Sequence, residues 1–320
     1  MLAVGPIAAL ATIGLAAFTG ATAQSTNVPS WVPWVALACL AAGLPHGAVD
    51  HLALMRPIRH RWRAAALYAI SAAAAATVIL LLPGLAFGAV VAMSIWHFGS
   101  GDVESLADLD GDARDKRAWS VLHAVAAGAV PLVLPLTGQA TATTLELIQP
   151  RLPDLDVLTS GGLRAVTVLL ALVVVARLLT MRRLRPAIEL LVLVALGLLV
   201  TPLLAFGVYF ALWHALRHTA RLAQDDTGAL DARSLRHIAF AGLPALLLTV
   251  TTVAAALIVA GGVGDPGPWL WVTLALVWGL TVPHTAVVSR FNAARRAGVV
   301  RIRPVRELAY PPRTRRSPRV

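Results

Sequence analysis

Along the chain, solid apolar runs alternate with short polar turns. The runs fall at 2–20, 31–55, 64–82, 85–100, 118–137, 162–180, 187–200, 203–222, 238–262 and 268–290. Most are close to the roughly 20 residues that a helix needs to cross a bilayer. They lack the apolar–polar alternation of a transmembrane β-barrel. Helices satisfy their backbone hydrogen bonds internally in lipid, so the expected fold is all-α, a polytopic transmembrane helical bundle. The runs at 85–100 and 187–200 are short, and two runs meet at Thr201-Pro202, which sets the expectation at about 8–10 spans.

Composition agrees with that pattern. Of 320 residues, 58% are hydrophobic and 13% charged, where a soluble domain carries about 25% charged residues. The net charge of +11 comes from 26 arginines and one lysine. Most arginines lie between apolar runs or in the tail, so the positive-inside rule explains them and a nucleic-acid partner is not implied. With the amino terminus inside, the cytoplasmic loops receive Arg56, Arg59, Arg61 and Arg63, then Arg114, Lys116 and Arg117. Arg182, Arg183, Arg185, Arg221, Arg233, Arg236 and the basic tail follow on the same side, against Arg151 and Arg164 on the other. This asymmetry predicts an integral, multi-pass protein of a bacterial-type cell (inner) membrane with its tail in the cytoplasm.

Three regions are expected. Residues 1–30 form an extra N-terminal hydrophobic segment and loop; it ends in ATAQ like a signal peptide but lacks a basic start, which favours an uncleaved helix. Residues 31–290 form the membrane-embedded domain. Residues 291–320 form a basic tail, expected to lie disordered against anionic headgroups. The acidic stretch GDVESLADLDGDARDKR, 101–117, reads as a solvated linker, its spacing being wrong for a calcium loop. Cys39, the single cysteine, excludes an internal disulfide and reads as packing.

Polar residues inside the runs carry the chemistry. His46 lies in GLPHGAVDH, His97 in SIWHFGSG, His214 and His218 in FALWHALRH, and His284 in TVPHTAV. At 1.5 Å per residue, all thread to within about 15 Å of the cytoplasmic edge. One buried imidazole can simply join two helices. Five at one level, from four helices, predict a metal site on the cytoplasmic side of the core. His214 and His218, at i and i+4, share a helical face as a chelating pair. His46 and Asp50 have the same spacing, with Asp50 expected to accept from a ligand N–H. His51 points about 140° away from His46 on a regular helix and is expected in a separate contact. His60, His123 and His237 lie in or beside loops and read as solvated or interfacial. Trp96, Phe98, Trp213 and Trp278 neighbour the candidate ligands and are candidates for lining a substrate cavity. An all-imidazole set suits iron, zinc, copper or nickel.

GLPHGAVDH, SIWHFGSGD, WHALRH and the late PH, taken in that order over residues 31–290, resemble the Brp/Blh family of membrane β-carotene 15,15′-dioxygenases. The resemblance implies cleavage of the central double bond of β-carotene by dioxygen, giving two retinals. It also implies a non-haem Fe(II) held by His46, His97, His214 and His218, with His284 matching the late PH element. The product would suit a retinal-binding opsin. The chain itself is not such an opsin, because its one lysine, Lys116, lies outside the apolar runs. Alternative readings are a dioxygenase for another carotenoid, a histidine-lined metal transporter and a haem-binding membrane protein. The transporter reading expects internal repeats and polar sites through both halves of the membrane, and neither is visible.

Overall fold

The computed structural model describes residues 3–25, 28–50, 61–110, 117–137, 161–227, 232–259 and 266–296. The chain runs through α1 (Val4–Thr19), α2 (Trp31–Gly43), α3 (Pro45–Ala48), α4 (Arg61–Leu81), α5 (Pro83–Asp110) and α6 (Arg117–Leu136). It continues through α7 (Gly162–Thr180), α8 (Leu184–Leu199), α9 (Pro202–Val208), a π-helical segment (Tyr209–Ala215), α10 (Leu216–Thr227), α11 (Ala232–Val259) and α12 (Pro266–Arg296). Among the described residues there is no strand, only an isolated bridge between Thr22 and Val200. Each of the ten expected runs is represented by helix, the run at 203–222 being shared by α9, the π-helical segment and α10. Seven helices among the described residues are long and apolar enough to cross a membrane, and Val4–Thr19 is a shorter apolar helix.

The outer surface is apolar, with Phe18 90% and Ile258 79% exposed, as helices facing lipid require. Lipid tails offer little hydrophobic drive for helix association, so close backbone approach matters more. Gly99 of α5 and Gly128 of α6 meet at such a crossing: a Cβ on Gly99 would strike the Ala124 carbonyl, and one on Gly128 the Ile95 carbonyl. Gly279 of α12 packs on Ala72 and Ala76 of α4 in the same way. The N-terminal helix joins this packing, with Gly5 of α1 against the ring of Trp213 and the Thr201 N–H donating to the Ala21 carbonyl.

Three apolar clusters result. The largest joins α1, α2, α6–α9 and the π-helical segment with Phe98 of α5, a second joins α4, α5 and α12, and a third is built on Val49, Leu222, Ala223 and Ile238. Helices from all three carry the candidate histidines.

Two polar segments differ from the sequence expectation. Residues 101–110 continue α5 and are not a solvated linker: Asp102 is buried, and Asp108 accepts from both Arg221 and Arg295 at 2.9 Å. Likewise α12 continues to Arg296, so the first residues of the expected disordered tail are helical, with Asn292 buried. Arg221, expected in a loop, is buried and donates to Asn292 as well, at 3.1 Å. Charges that local hydropathy assigns to water are paired between helices instead. Arg56, Arg59, Arg114, Lys116, Arg151 and the tail beyond 296 lie outside the described residues.

Candidate metal centre

Five helical segments bring their histidines together. His46 comes from α3, His97 from α5, His214 from the π-helical segment, His218 from α10 and His284 from α12. None is more than 8% exposed. The His46 ring centroid lies 5.2 Å from that of His214, 5.7 Å from His218 and 5.0 Å from His284. His97 lies 5.0 Å from His214 and 4.8 Å from His284. One nitrogen from each of His46, His97, His214 and His284 falls within 4.8 Å of the others, and Asp50, His218 and His284 make a second such group.

Local sequence explains how these rings are presented. Proline at position 45 has no N–H to continue the ladder from α2, and the helix is interrupted at Leu44. Gly47 then donates its N–H to the Leu44 carbonyl at 3.3 Å, and the Gly43 carbonyl accepts from His46 Nδ1–H at 2.5 Å. That contact turns His46 Nε2 toward the other rings. Glycine is needed at 43 for a further reason: a Cβ there would strike the Phe210 ring. The π-helical segment, which runs into the first three residues of the WHALRH motif, accommodates an inserted residue there, a device frequent at functional sites. It leaves His214 and His218 with nearly parallel rings, 13° apart in plane and 6.5 Å between centroids.

The second histidine with a defined orientation is His284. Its Nδ1–H donates to the Asp50 carboxylate, at 2.8 Å from Oδ2 and 2.9 Å from Oδ1, and Tyr68 donates its hydroxyl to the same Oδ2 at 2.9 Å. A carboxylate can only accept here, so Nδ1 carries a proton, and in the neutral ring Nε2 keeps its lone pair. That Nε2 lies 3.1 Å from His97 Nε2. Two nitrogens bound to one ion at about 2.1 Å lie about 3.0–3.4 Å apart. His214 Nε2 and His218 Nε2 are buried with no hydrogen-bond partner among the described residues. Unpartnered imidazole nitrogens, no thiolate and a carboxylate in an orienting position fit a borderline divalent metal.

The remaining sequence candidates separate. His51 and His60 lie outside the described residues. Phe98 is buried with its ring centroid 4.3 Å from that of His214 and continues into Phe206, Tyr209 and Phe210 as an aromatic wall. Trp96 is 45% exposed on the outer surface. Trp213 is fully buried, with its Nε1–H donating to Asp102 at 3.2 Å, and it packs on α1. Trp278 packs on Phe87 and Trp271 in the cluster of α4, α5 and α12.

Sequence reasoning missed a charged layer beside the cluster. The buried guanidinium of Arg217 bonds Asp102 through Nη1 and Glu189 through Nη2, the latter at 2.7 Å, and stacks over Trp213 at 4.5 Å. Arg185 adds a 3.0 Å bond to Glu189. Glu189 had a sequence signal, a lone carboxylate inside an apolar run, which marks a buried partner by default. Tyr68 had none.

Comparison with known proteins covers the stretch of chain that carries the five histidines. The family described as β-carotene 15,15′-dioxygenase matches residues 37–292. The probable β-carotene 15,15′-dioxygenase Blh of Halobacterium salinarum strain NRC-1 is 31% identical over 319 residues, covering 90% of this chain and 91% of the relative. The probable β-carotene 15,15′-dioxygenase Brp of strain R1 is 29% identical over 215 residues, covering 61% of this chain and 60% of the relative. No solved structure matches. With four-fifths of its length under one family description and a relative aligned nearly end to end, this chain belongs to the β-carotene 15,15′-dioxygenase family.

Proposed function

We propose that this membrane protein cleaves the central 15,15′ double bond of β-carotene with dioxygen, giving two molecules of all-trans-retinal, at a non-haem iron(II) centre. The observation that carries this reading is the convergence of buried imidazoles from helices far apart in sequence, in a chain of this family. His46, His97, His214 and His218 hold the metal, and Asp50 holds the adjacent His284 ring through its Nδ1–H. Bound iron(II) supplies the binding and activation of dioxygen.

The chain's own part is placement and exclusion of water. Phe98, with Phe206, Tyr209 and Phe210 around it, offers an apolar wall beside His214 on which a polyene can lie. The Arg217 layer closes the polar side of the cluster. A substrate stored in lipid reaches such a site without crossing water. The catalytic domain is residues 31–290, a range supported by the family match over 37–292. The arginine asymmetry supports an orientation in the cell (inner) membrane with the site toward the cytoplasm and the tail on that side. Retinal made there is available to a retinal-binding opsin in the same bilayer.

Expression in a β-carotene-accumulating bacterium, with pigments extracted and separated, tests the reading. Loss of β-carotene with stoichiometric retinal is expected. Undiminished β-carotene from well-expressed, iron-loaded protein overturns it, and consumption of a different carotenoid reassigns the substrate.

A further inference from the structure

The family resemblance supplies four histidines, and the geometry points to one more: His284 is a ligand to the metal, with Asp50 and Tyr68 as its positioning residues. This inference rests on the proposed metal centre and extends it.

The argument begins with the proton on His284. Asp50 faces Nδ1 with both oxygens, at 2.8 and 2.9 Å, and so holds the proton there. Tyr68 donates to Asp50 from α4 at 2.9 Å, which fixes the carboxylate from the far side. A chain of three side chains from separate helical segments thus sets one tautomer and one ring orientation. Asp50 is 4% exposed and His284 5%, so water does not compete for these bonds. In the neutral ring this leaves the lone pair on Nε2, which faces the imidazole cluster 3.1 Å from His97 Nε2.

A ring held in this way has the arrangement in which ligating histidines are usually found, with the second nitrogen bonded to a carboxylate. Position supports the same role. The nitrogens of His284 belong to both close groups, one with His46, His97 and His214 and the other with Asp50 and His218. No other histidine of the cluster is shared between them. The bland alternative is that His97 Nε2–H simply donates to His284 Nε2 as a buried hydrogen bond. On that alternative, removal of His284 would leave metal binding by the other histidines unchanged.

Purified full-length protein in detergent, loaded with iron(II) or with cobalt(II) as a spectroscopic probe, separates these. Wild type is expected to bind metal and to show ligand-field bands of the cobalt form. For His284→Ala we expect at least a tenfold loss of metal affinity and shifted cobalt bands. His284→Gly should regain the wild-type bands when imidazole is added, a rescue that a purely structural histidine would not give. Asp50→Asn, which keeps the ligands but disturbs the proton on Nδ1, should weaken metal binding about 10–100-fold, and Tyr68→Phe should shift the bands in the same direction by less. If the His284 variants do not fold, unchanged affinity and bands in Asp50→Asn overturn the inference. Wild-type affinity and bands in folded His284→Ala overturn it directly while leaving the proposed function standing. Failure of the wild type to bind either metal defeats both.

Discussion

Arg217 Nη2 lies 2.7 Å from Glu189 Oε2, and the Nη1 of the same guanidinium is bonded to Asp102. Arg217 sits in sequence between His214 and His218, while Asp102 follows His97 on α5. One buried cation therefore ties the helices that present three candidate ligands. Removing one partner of a buried pair leaves an uncompensated charge, at a cost of about 3–5 kcal/mol. Arg217→Met, which leaves buried Asp102 without its cation, is expected to destabilise the protein by that amount in equilibrium unfolding from mixed micelles, with Glu189→Gln, which leaves Arg217 paired with Asp102, losing less. A change within about 0.5 kcal/mol would show that the pair does not stabilise the fold.

The crossing of α5 and α6 sets where His97 stands. Gly99→Ala would drive a methyl group into the Ala124 carbonyl, a backbone atom that cannot rotate away. Overpacking of this kind costs about 1–3 kcal/mol, and here it also displaces His97, two residues away. We expect lower thermal stability together with lost cleavage. Gly88→Ala, on the same helix but with nothing within 4 Å of the added carbon, is the control. It should change stability by no more than about 1 kcal/mol and leave product formation intact.

His214→Ala or His218→Ala should abolish retinal formation and lower bound iron. Each removes a buried Nε2 that has no hydrogen-bond partner among the described residues, so the loss of metal is separable from loss of a hydrogen bond at that atom. Pigment analysis and metal content on the same preparation provide the check; full activity and iron content in either variant removes that residue from the ligand set.

Chelation should inactivate the protein reversibly, with activity restored by ferrous iron. A metal bound only by the folded state stabilises it by about 2.7 kcal/mol at 100 times its dissociation constant. Melting in detergent should accordingly shift downward on chelation and upward on readdition of iron. A melting temperature independent of metal would argue against a site shared among five helical segments.

Much of this molecule was legible from local pattern. Apolar runs of bilayer length could only be helices, because no other open structure satisfies its backbone in lipid. His46, His97, His214, His218 and His284 stood out because ionisable groups inside such runs are costly without a shared purpose. The i, i+4 spacing of His214 and His218 put both on one face before any packing was known. What local pattern could not supply was where helices end. The hydropathy drop after Ser100 reads as an exit into water, yet α5 continues to Asp110 because Arg217, Arg221 and Arg295 arrive from other helices to meet its carboxylates.

The sequence by itself determined a membrane bundle, its candidate ligands and their rough common level, since each follows from composition, run length and helical periodicity. Only the tertiary structure decided which partners those residues have. Asp50 was expected to support a ligand, but 234 positions separate it from His284, whose ring it holds. Trp96 and Trp213 look equally close to histidines in sequence, and packing sends the first to the outer surface and the second into the core. Contacts of that range depend on how whole helices cross, through close approaches such as Gly99 on Gly128, and no local periodicity encodes them.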